Sequence, residues 1–219
     1  MYKISMLQPK SATHIPEPPV ARFLFADTRM AWVWLIVRLY LCYAWLTAGL
    51  EKMFGRSFEF GPTFGQSNGG AWIFSGHDGA AIQGFVAGAL AKTTGAHASV
   101  QGWYGWFLQH VVLPNAATFA YLVTFGEILV GLGLLVGALT GIAAFFGLFM
   151  NLNYLFAGTV STNPLLGVLA VLVVLAWRVA GYYGVDRYLL PALGTPWTGS
   201  LMKQQEGEEE ESSRMRTAS

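Results

Sequence analysis

Apolar positions dominate the second half of this chain, and their pattern is typical of helices surrounded by lipid. Residues 116–185 contain only two charged side chains, Glu127 and Arg178. A bilayer core is crossed by about 20 apolar residues in helical form, so this segment is long enough for several crossings. With the apolar segment that follows residue 29, the pattern predicts membrane-spanning helices at about 30–54, 116–139, 141–158 and 164–185, and Asp186 and Arg187 are expected to end the last span in water.

The segments outside these spans are more polar. Residues 55–115 are rich in glycine and aromatic residues, and the pieces 80–91 and 101–113 have helical character but are too short to cross. We expect short helices lying on the membrane surface, with a re-entrant segment as the alternative. Residues 1–29 are predicted to be a cytoplasmic arm. Residues 188–219 are predicted to be a cytoplasmic tail, disordered from about residue 203 because of its charged, low-complexity sequence.

Composition agrees with an all-α integral membrane protein, a bundle of four transmembrane helices (30–187) with a long helical extracytoplasmic loop (55–115). Hydrophobic residues make up 54% of the 219 residues and charged residues 11%, against about 25% charged in soluble domains. The net charge of +1 gives no basic excess that would indicate a nucleic-acid partner. The single cysteine, Cys42, excludes an internal disulfide and a CxxC metal site.

The distribution of basic residues predicts the orientation in the cell membrane. The loop between the first two spans holds only Arg56 and Lys92. The two terminal segments hold more: Lys3, Lys10, Arg22, Arg29, Arg187, Lys203, Arg214 and Arg216. Because cytoplasmic segments carry an excess of Lys and Arg, both termini are predicted to be cytoplasmic and the protein to be multi-pass.

Three charged residues within the predicted spans are the first candidates for chemistry: Arg38, Glu127 and Arg178. Each costs about 2.5–3.5 kcal/mol on insertion scales, so such groups persist when they pair or serve a site. Arg38 and Glu127 lie about 12 and 18 Å from the inner ends of their spans, and a long arginine side chain can bridge that difference. We therefore expect an Arg38–Glu127 pair, either as a proton or quinone site or as an ion pair that fixes helix register. Arg178 can also simply extend its charge to the cytoplasmic interface.

Polar residues near the outer face give further hypotheses. Glu51 and Lys52 end the first span and either line the mouth of a site or only stop the helix. Lys52, Arg56 and Lys92 share a predicted side with the helix N-termini near Asn115 and Asn163, an arrangement that suits a small oxyanion. Ordinary helix capping is the alternative.

Two asparagines on the third span, Asn151 and Asn153, point about 200° apart on a helix. One of them is expected to form a hydrogen bond across the bundle. The histidines at positions 77, 97 and 110 have no recurring ligand spacing, so no metal site is predicted.

Several short motifs, taken in order, resemble the DoxX/DoxD family of four-helix membrane proteins. They are Arg-Leu-Tyr-Leu at 38–41, Gly-Leu-Glu-Lys at 49–52, Gly-Glu-Ile-Leu-Val-Gly at 126–131, Met-Asn-Leu-Asn-Tyr at 150–154 and Ala-Gly-Tyr-Tyr-Gly-Val-Asp-Arg at 180–187. Residues 84–90 also resemble the larger members. The likeness covers about residues 30–197.

The resemblance implies a membrane subunit of a quinone-linked oxidoreductase. Some members form the large subunit of a thiosulfate:quinone oxidoreductase, which oxidises thiosulfate to tetrathionate, reduces membrane quinone and has a second, smaller subunit. The implied partners are the lipid bilayer, quinone, a small oxyanion such as thiosulfate and a second redox subunit, with no covalently bound cofactor. The alternative is a non-enzymatic membrane anchor or assembly partner for a soluble redox enzyme; a small-solute transporter has less support.

On the enzyme interpretation, the predicted catalytic residues are Arg38, Glu127 and Glu51. Arg38 and Glu127 would orient or protonate a quinone carbonyl. The predicted substrate-binding residues are Lys52, Arg56, Asn151, Asn153, Arg178, Trp45, Phe125 and Trp177.

Overall fold

The structure, a computed structural model, describes residues 18–95 and 97–193, and helices are the regular secondary structure of these residues. Within those ranges the only strand-like pairing is an isolated bridge between Arg56 and Ser67. The predictions made for residues 1–17 and for residues 194–219, including the disordered tail, lie outside the described residues.

The helices follow one another along the chain with short connections, except for the segment between the second and third. They are α1 (Pro19–Ala26), α2 (Ala31–Phe54), α3 (Ala80–Leu90), α4 (Gly102–Phe107), α5 (Ala116–Val136), α6 (Thr140–Phe156), α7 (Asn163–Leu175), α8 (Trp177–Ala180) and α9 (Asp186–Ala192).

The predicted helix at 101–113 does not stand apart from the second span. Helix α4 continues through a π-helical turn at Leu108–Val112 and a 3₁₀ turn at Leu113–Asn115 into α5. Pro114 lacks a backbone N–H, so it cannot donate an α-helical hydrogen bond. Short 3₁₀ turns are common where the α-helical hydrogen-bond pattern is interrupted. The result is one helical run from Gly102 to Val136.

The helix predicted over 164–185 is interrupted. Helix α7 ends at Leu175, Ala176 has non-helical backbone angles, and α8 adds a single further turn. The chain then turns through residues 181–185 before α9 begins at Asp186. The apolar pattern continues across Ala176 without a break, which is why it predicted one helix.

Two helical runs, Thr28–Phe54 and Gly102–Val136, are long and apolar enough to cross a membrane by length and composition. Only 33% of the apolar window of each run is buried, whereas the core helix of a soluble protein is mostly buried. Large apolar side chains therefore face outward, among them Ile36, Leu129 and Phe149. Such a continuous apolar surface suits contact with lipid rather than water. Within the described residues, α3, α6 and α7 are shorter apolar helices.

Small residues allow α2 and α5 to pack closely in antiparallel orientation. A Cβ atom on Gly49 would collide with Ile128, and one on Gly131 would collide with Leu46. Close approach of helices at small residues is typical of membrane bundles. The antiparallel alignment brings Lys52, in the last turn of α2, next to Glu127 in the middle of α5.

Candidate functional site

The candidate site is built around the carboxylate of Glu127, which is 1% exposed. Its Oε2 and Oε1 atoms lie 2.6 and 2.9 Å from Nζ of Lys52. The hydroxyl of Tyr154 donates a hydrogen bond of 2.6 Å to Oε1. Side chains from α2, α5 and α6 therefore meet at one buried carboxylate.

The position of Glu127 follows from the buried stripe of α5. Ala120, Thr124, Glu127, Gly131 and Leu134 are all buried, and their spacing of three and four residues places them on one helix face. A carboxylate on that face needs a partner, because an isolated buried charge is strongly unfavourable. Lys52 supplies it, and the same ammonium lies 3.4 Å from the Ala48 carbonyl oxygen and 5.1 Å from the Trp72 ring centroid.

The predicted Arg38–Glu127 pair is not formed. Arg38 is buried, but Nη1 donates to the Ala180 carbonyl at 3.1 Å and Nη2 to the Tyr183 carbonyl at 2.9 Å. These carbonyls are close because the chain leaves helical geometry after α8. The expectation that each buried charge finds a partner is correct, whereas the identity of the partners is wrong.

Asp186 completes the network at the Arg38 end of the molecule. The prediction that it ends the last span in water is wrong, since its side chain is fully buried, while Arg187 beside it is exposed. Its carboxylate accepts hydrogen bonds from the backbone N–H groups of Leu139 at 2.5 Å and Thr140 at 2.8 Å. Asp186 therefore caps the start of α6 from across the structure.

A cavity of about 440 Å³ lies beside the carboxylate, and we call it the Glu127 cavity. One wall is a stripe on α2 that runs from Tyr40 to Lys52, about 18 Å at 1.5 Å per residue. Tyr40 is 42% exposed, so the cavity reaches the outer surface of the helices there. Its aromatic lining residues are Tyr40, Tyr43, Trp45, Trp72, Phe85 and Tyr154.

Polar groups also line the Glu127 cavity. Glu51, Glu59 and Asn163 belong to its wall. The Oε1 atom of Glu51 accepts hydrogen bonds from the Ser57 hydroxyl at 3.2 Å and the Phe58 N–H at 3.1 Å. Glu51 thus holds the beginning of the long loop against the cavity.

The structure brings together only part of the predicted site. Glu127, Glu51, Lys52 and Trp45 line the Glu127 cavity. The other predicted residues lie outside its wall: Arg38, Arg56, Asn151, Asn153, Arg178, Phe125 and Trp177.

The two misplaced aromatic residues have clear physical reasons. Phe125 is two positions from Glu127, so it points to the opposite side of α5, where it is exposed and stacks on Tyr121. Trp177 lies after the break in the last predicted span, and its ring is 5.7 Å from the Arg178 guanidinium.

The prediction that one asparagine of the third span bonds across the bundle is confirmed. Asn151 Nδ2 donates to Asn163 Oδ1 at 3.2 Å, linking α6 to α7. Asn153 faces elsewhere, and its Oδ1 accepts a hydrogen bond of 3.1 Å from the Tyr104 hydroxyl. Asn151 therefore supports the cavity wall through Asn163 without touching the cavity itself.

The three cations of the predicted oxyanion mouth do not converge. Lys52 is bound by Glu127, Lys92 donates to the Gly158 carbonyl at 3.0 Å, and Arg56 is exposed outside the cavity wall. In the described part of the chain, no group of three or more His, Cys, Asp or Glu side chains is placed to hold a metal ion.

Asp78, outside the long helical runs, forms a separate polar link. It accepts hydrogen bonds from the Tyr121 hydroxyl at 2.6 Å and from the Ser75 N–H at 2.9 Å. These bonds, that from Tyr121 first, hold the pKa of Asp78 below its ordinary value of 3.8. Through these hydrogen bonds Asp78 connects the loop to Tyr121 on α5.

Two residues of the site were missed from the sequence, Tyr154 and Trp72. The signal for Tyr154 was present: Ala144, Gly147 and Asn151 form the buried face of α6, and Tyr154 is the next position on that face. Trp72 lies in irregular loop structure, where no periodicity indicates which way a side chain points.

The outward apolar surface, the helical fold and the internal polar cavity define the class of this chain, a helical membrane protein. Residues 79–160 match the DoxX family model. The match spans α3 to α6 and agrees, over that part of the chain, with the family resemblance predicted from the sequence. The match includes Glu127 and Tyr154. No curated protein and no solved structure matches the chain.

Replacing Tyr154 with phenylalanine is expected to lower the free energy of unfolding by about 1.5–3 kcal/mol, because a hydrogen bond to a charged group is lost. Tyr104→Phe is the matched control: its buried hydroxyl donates to a neutral carbonyl, that of Asn153 at 2.9 Å, and its loss is expected to cost about 0.5–1.5 kcal/mol. Unfolding in detergent, followed by circular dichroism, measures both. Equal losses would contradict an ionic Tyr154–Glu127 bond.

Proposed function

We propose that this chain is a membrane subunit of a quinone-linked oxidoreductase and that the Glu127 cavity receives the quinone head group. One observation carries the proposal: a buried carboxylate, shared by Lys52 and Tyr154, forms the wall of an aromatic cavity that reaches the outer surface of the helices. Polar residues that line a cavity within lipid are generally functional.

The proposal includes four membrane crossings, by α2, α5, α6 and the α7–α8 pair. The antiparallel packing of α2 on α5 and the short turn at Gly137–Leu139 between α5 and α6 support this arrangement. Helix α6 has 17 residues, or about 26 Å, slightly less than the roughly 30 Å hydrocarbon core. The distribution of basic residues supports cytoplasmic termini.

The shape and lining of the cavity fit a quinone. Its volume of about 440 Å³ lies within the roughly 300–1,000 Å³ range of small-molecule sites. Aromatic side chains provide flat surfaces for a ring. The exposed Tyr40, at one end of the α2 wall, would lie beside an isoprenoid tail that extends into lipid.

Quinone reduction takes up two electrons and two protons, and the chain supplies groups that hold protons beside the head group. The Tyr154 hydroxyl and the Lys52 ammonium are both bonded to Glu127 in the cavity wall. Removing such a proton-transfer group typically costs 10²–10⁴-fold in rate. The resemblance to the thiosulfate enzymes supplies the proposed donor. There, two thiosulfate ions lose two electrons and join through a new S–S bond, with a second redox subunit taking part.

The test compares membranes that contain wild-type protein with membranes that contain Glu127→Gln, using a soluble ubiquinone analogue and thiosulfate with the co-purifying subunits. The expected result is a loss of quinone reduction of at least about 100-fold. Asp78→Asn is the control, since Asp78 lies outside the cavity wall. Unchanged quinone reduction by correctly folded Glu127→Gln protein would refute the proposal.

A further inference from the structure

We propose that the Glu127 cavity selects an uncharged head group and rejects small oxyanions, so that an anionic electron donor would be oxidised on a partner subunit. This inference rests on the proposed function and specifies the class of ligand that the cavity takes. It departs from the oxyanion-binding mouth that the sequence predicts.

The first argument is the charge of the wall. Among the described residues that line the cavity, Lys52 is the single basic side chain, and Glu51, Glu59 and Glu127 are acidic. With all four ionised, one positive charge against three negative charges leaves the wall at a net charge of −2. A dianion entering this space meets repulsion that the low dielectric of a protein interior strengthens.

The second argument is the saturation of Lys52. An ammonium group has three N–H donors, and three acceptors surround it: the Ala48 carbonyl at 3.4 Å and the Glu127 oxygens at 2.9 and 2.6 Å. The face of Trp72 lies nearby, with its ring centroid 5.1 Å from Nζ. An oxyanion that approaches Lys52 would therefore have to compete with the Glu127 carboxylate for the ammonium group.

The third argument is that the remaining donors are uncharged. The Tyr43 oxygen accepts a hydrogen bond of 2.9 Å from the Phe60 N–H, which leaves the Tyr43 hydroxyl hydrogen for a ligand. Hydroxyl groups of the wall, Tyr43 among them, can satisfy a neutral carbonyl oxygen, but uncharged donors do not neutralise the charge of a desolvated anion. The carbonyl of a quinone needs no more than this, and the aromatic walls accept its ring.

The experiment measures the melting temperature of the purified full chain in detergent, since a ligand that binds the folded state raises it. Decylubiquinone and sodium thiosulfate are titrated separately, with sodium chloride at equal ionic strength as the reference. Wild-type protein is expected to be stabilised by decylubiquinone and to respond to thiosulfate no more than to chloride.

Two variants test the physical cause. Glu59→Gln/Glu127→Gln removes two negative charges and releases Lys52, so thiosulfate should bind at least about tenfold more tightly than to wild type, a ratio equivalent to about 1.4 kcal/mol. Lys52→Met/Glu127→Gln lacks the cation and should show no such gain. Because the prediction for wild-type protein needs no substitution, it can be tested even if a variant does not fold.

The outcomes separate this inference from the proposed function. Saturable stabilisation of wild-type protein by thiosulfate, lost in Lys52→Met, would overturn the inference. A folded Glu59→Gln/Glu127→Gln variant that gains no thiosulfate binding would also overturn it. If decylubiquinone does not stabilise wild-type protein but Glu59→Gln/Glu127→Gln gains thiosulfate binding, the rejection of oxyanions is upheld and the quinone function is refuted.

Discussion

Replacing Lys52 with methionine is expected to lower the free energy of unfolding by about 3–5 kcal/mol, because it leaves the Glu127 carboxylate buried without its cation. The carboxylate is 1% exposed and has both oxygens within 2.9 Å of Nζ. Glu127→Gln should be destabilising as well, since it leaves the ammonium without its counter-charge. The Lys52→Met/Glu127→Gln double variant should lose less than the sum of the two single variants, because neither charge is then left alone.

A double-mutant cycle measured by reversible unfolding in mixed micelles gives the coupling free energy of this pair. Lys92→Met provides the matched control. Lys92 is an exposed lysine whose ammonium donates to the Gly158 carbonyl, and its loss should cost no more than about 1.5 kcal/mol. Strictly additive losses in the cycle would show that Lys52 and Glu127 are not paired in the folded protein.

Arg38→Met is expected to have a second large effect, of about 3–5 kcal/mol, because it leaves polar groups buried without a partner. The guanidinium binds the carbonyls of Ala180 and Tyr183 and interacts electrostatically with Asp186. Its loss should loosen the turn after α8, and with it the cap that Asp186 places on α6. Quinone-analogue binding by the protein that remains folded should change little, because Arg38 is not part of the cavity wall.

Hydrogen exchange resolves this effect along the chain, with faster exchange expected at the N–H groups of Leu139 and Thr140, whose acceptor is Asp186. Arg187→Met is the control. Arg187 is exposed, and its guanidinium lies 5.1 Å from the Tyr182 ring centroid, a contact worth about 0.5–1 kcal/mol at an exposed site. A loss for Arg38→Met no greater than that of the control would contradict the structural role assigned here.

The long apolar segments were sufficient to predict α2, α5 and α6, because continuous apolar sequence in lipid leaves the helix as the favourable backbone conformation. They were not sufficient for the region after Leu175. The apolar character does not change at Ala176, so the hydropathy pattern contains no signal for the interruption there. The turn that follows is held by Arg38 and Gly137, both distant in sequence.

The candidate site was predicted in part. Glu127 and Lys52 were both identified, but depth along the helix axis alone could not show which cation reaches the carboxylate. That choice depends on the close approach of α2 to α5 at Gly49 and Gly131. Asp186 and Arg187 are adjacent charged residues and were both predicted to lie in water. In the structure only Arg187 is exposed, whereas Asp186 is buried.

The central claim is that a quinone head group lies beside Glu127, and photolabelling tests it most directly. A photoreactive ubiquinone analogue is irradiated with the membrane-embedded protein, and labelled peptides are identified by mass spectrometry. Label is expected at residues of the cavity wall, such as Tyr43, Trp72 and Tyr154, and excess unlabelled ubiquinone should displace it. Label confined to the outward surface around Phe125 or to the region of Trp177, or label that unlabelled quinone does not displace, would contradict the claim.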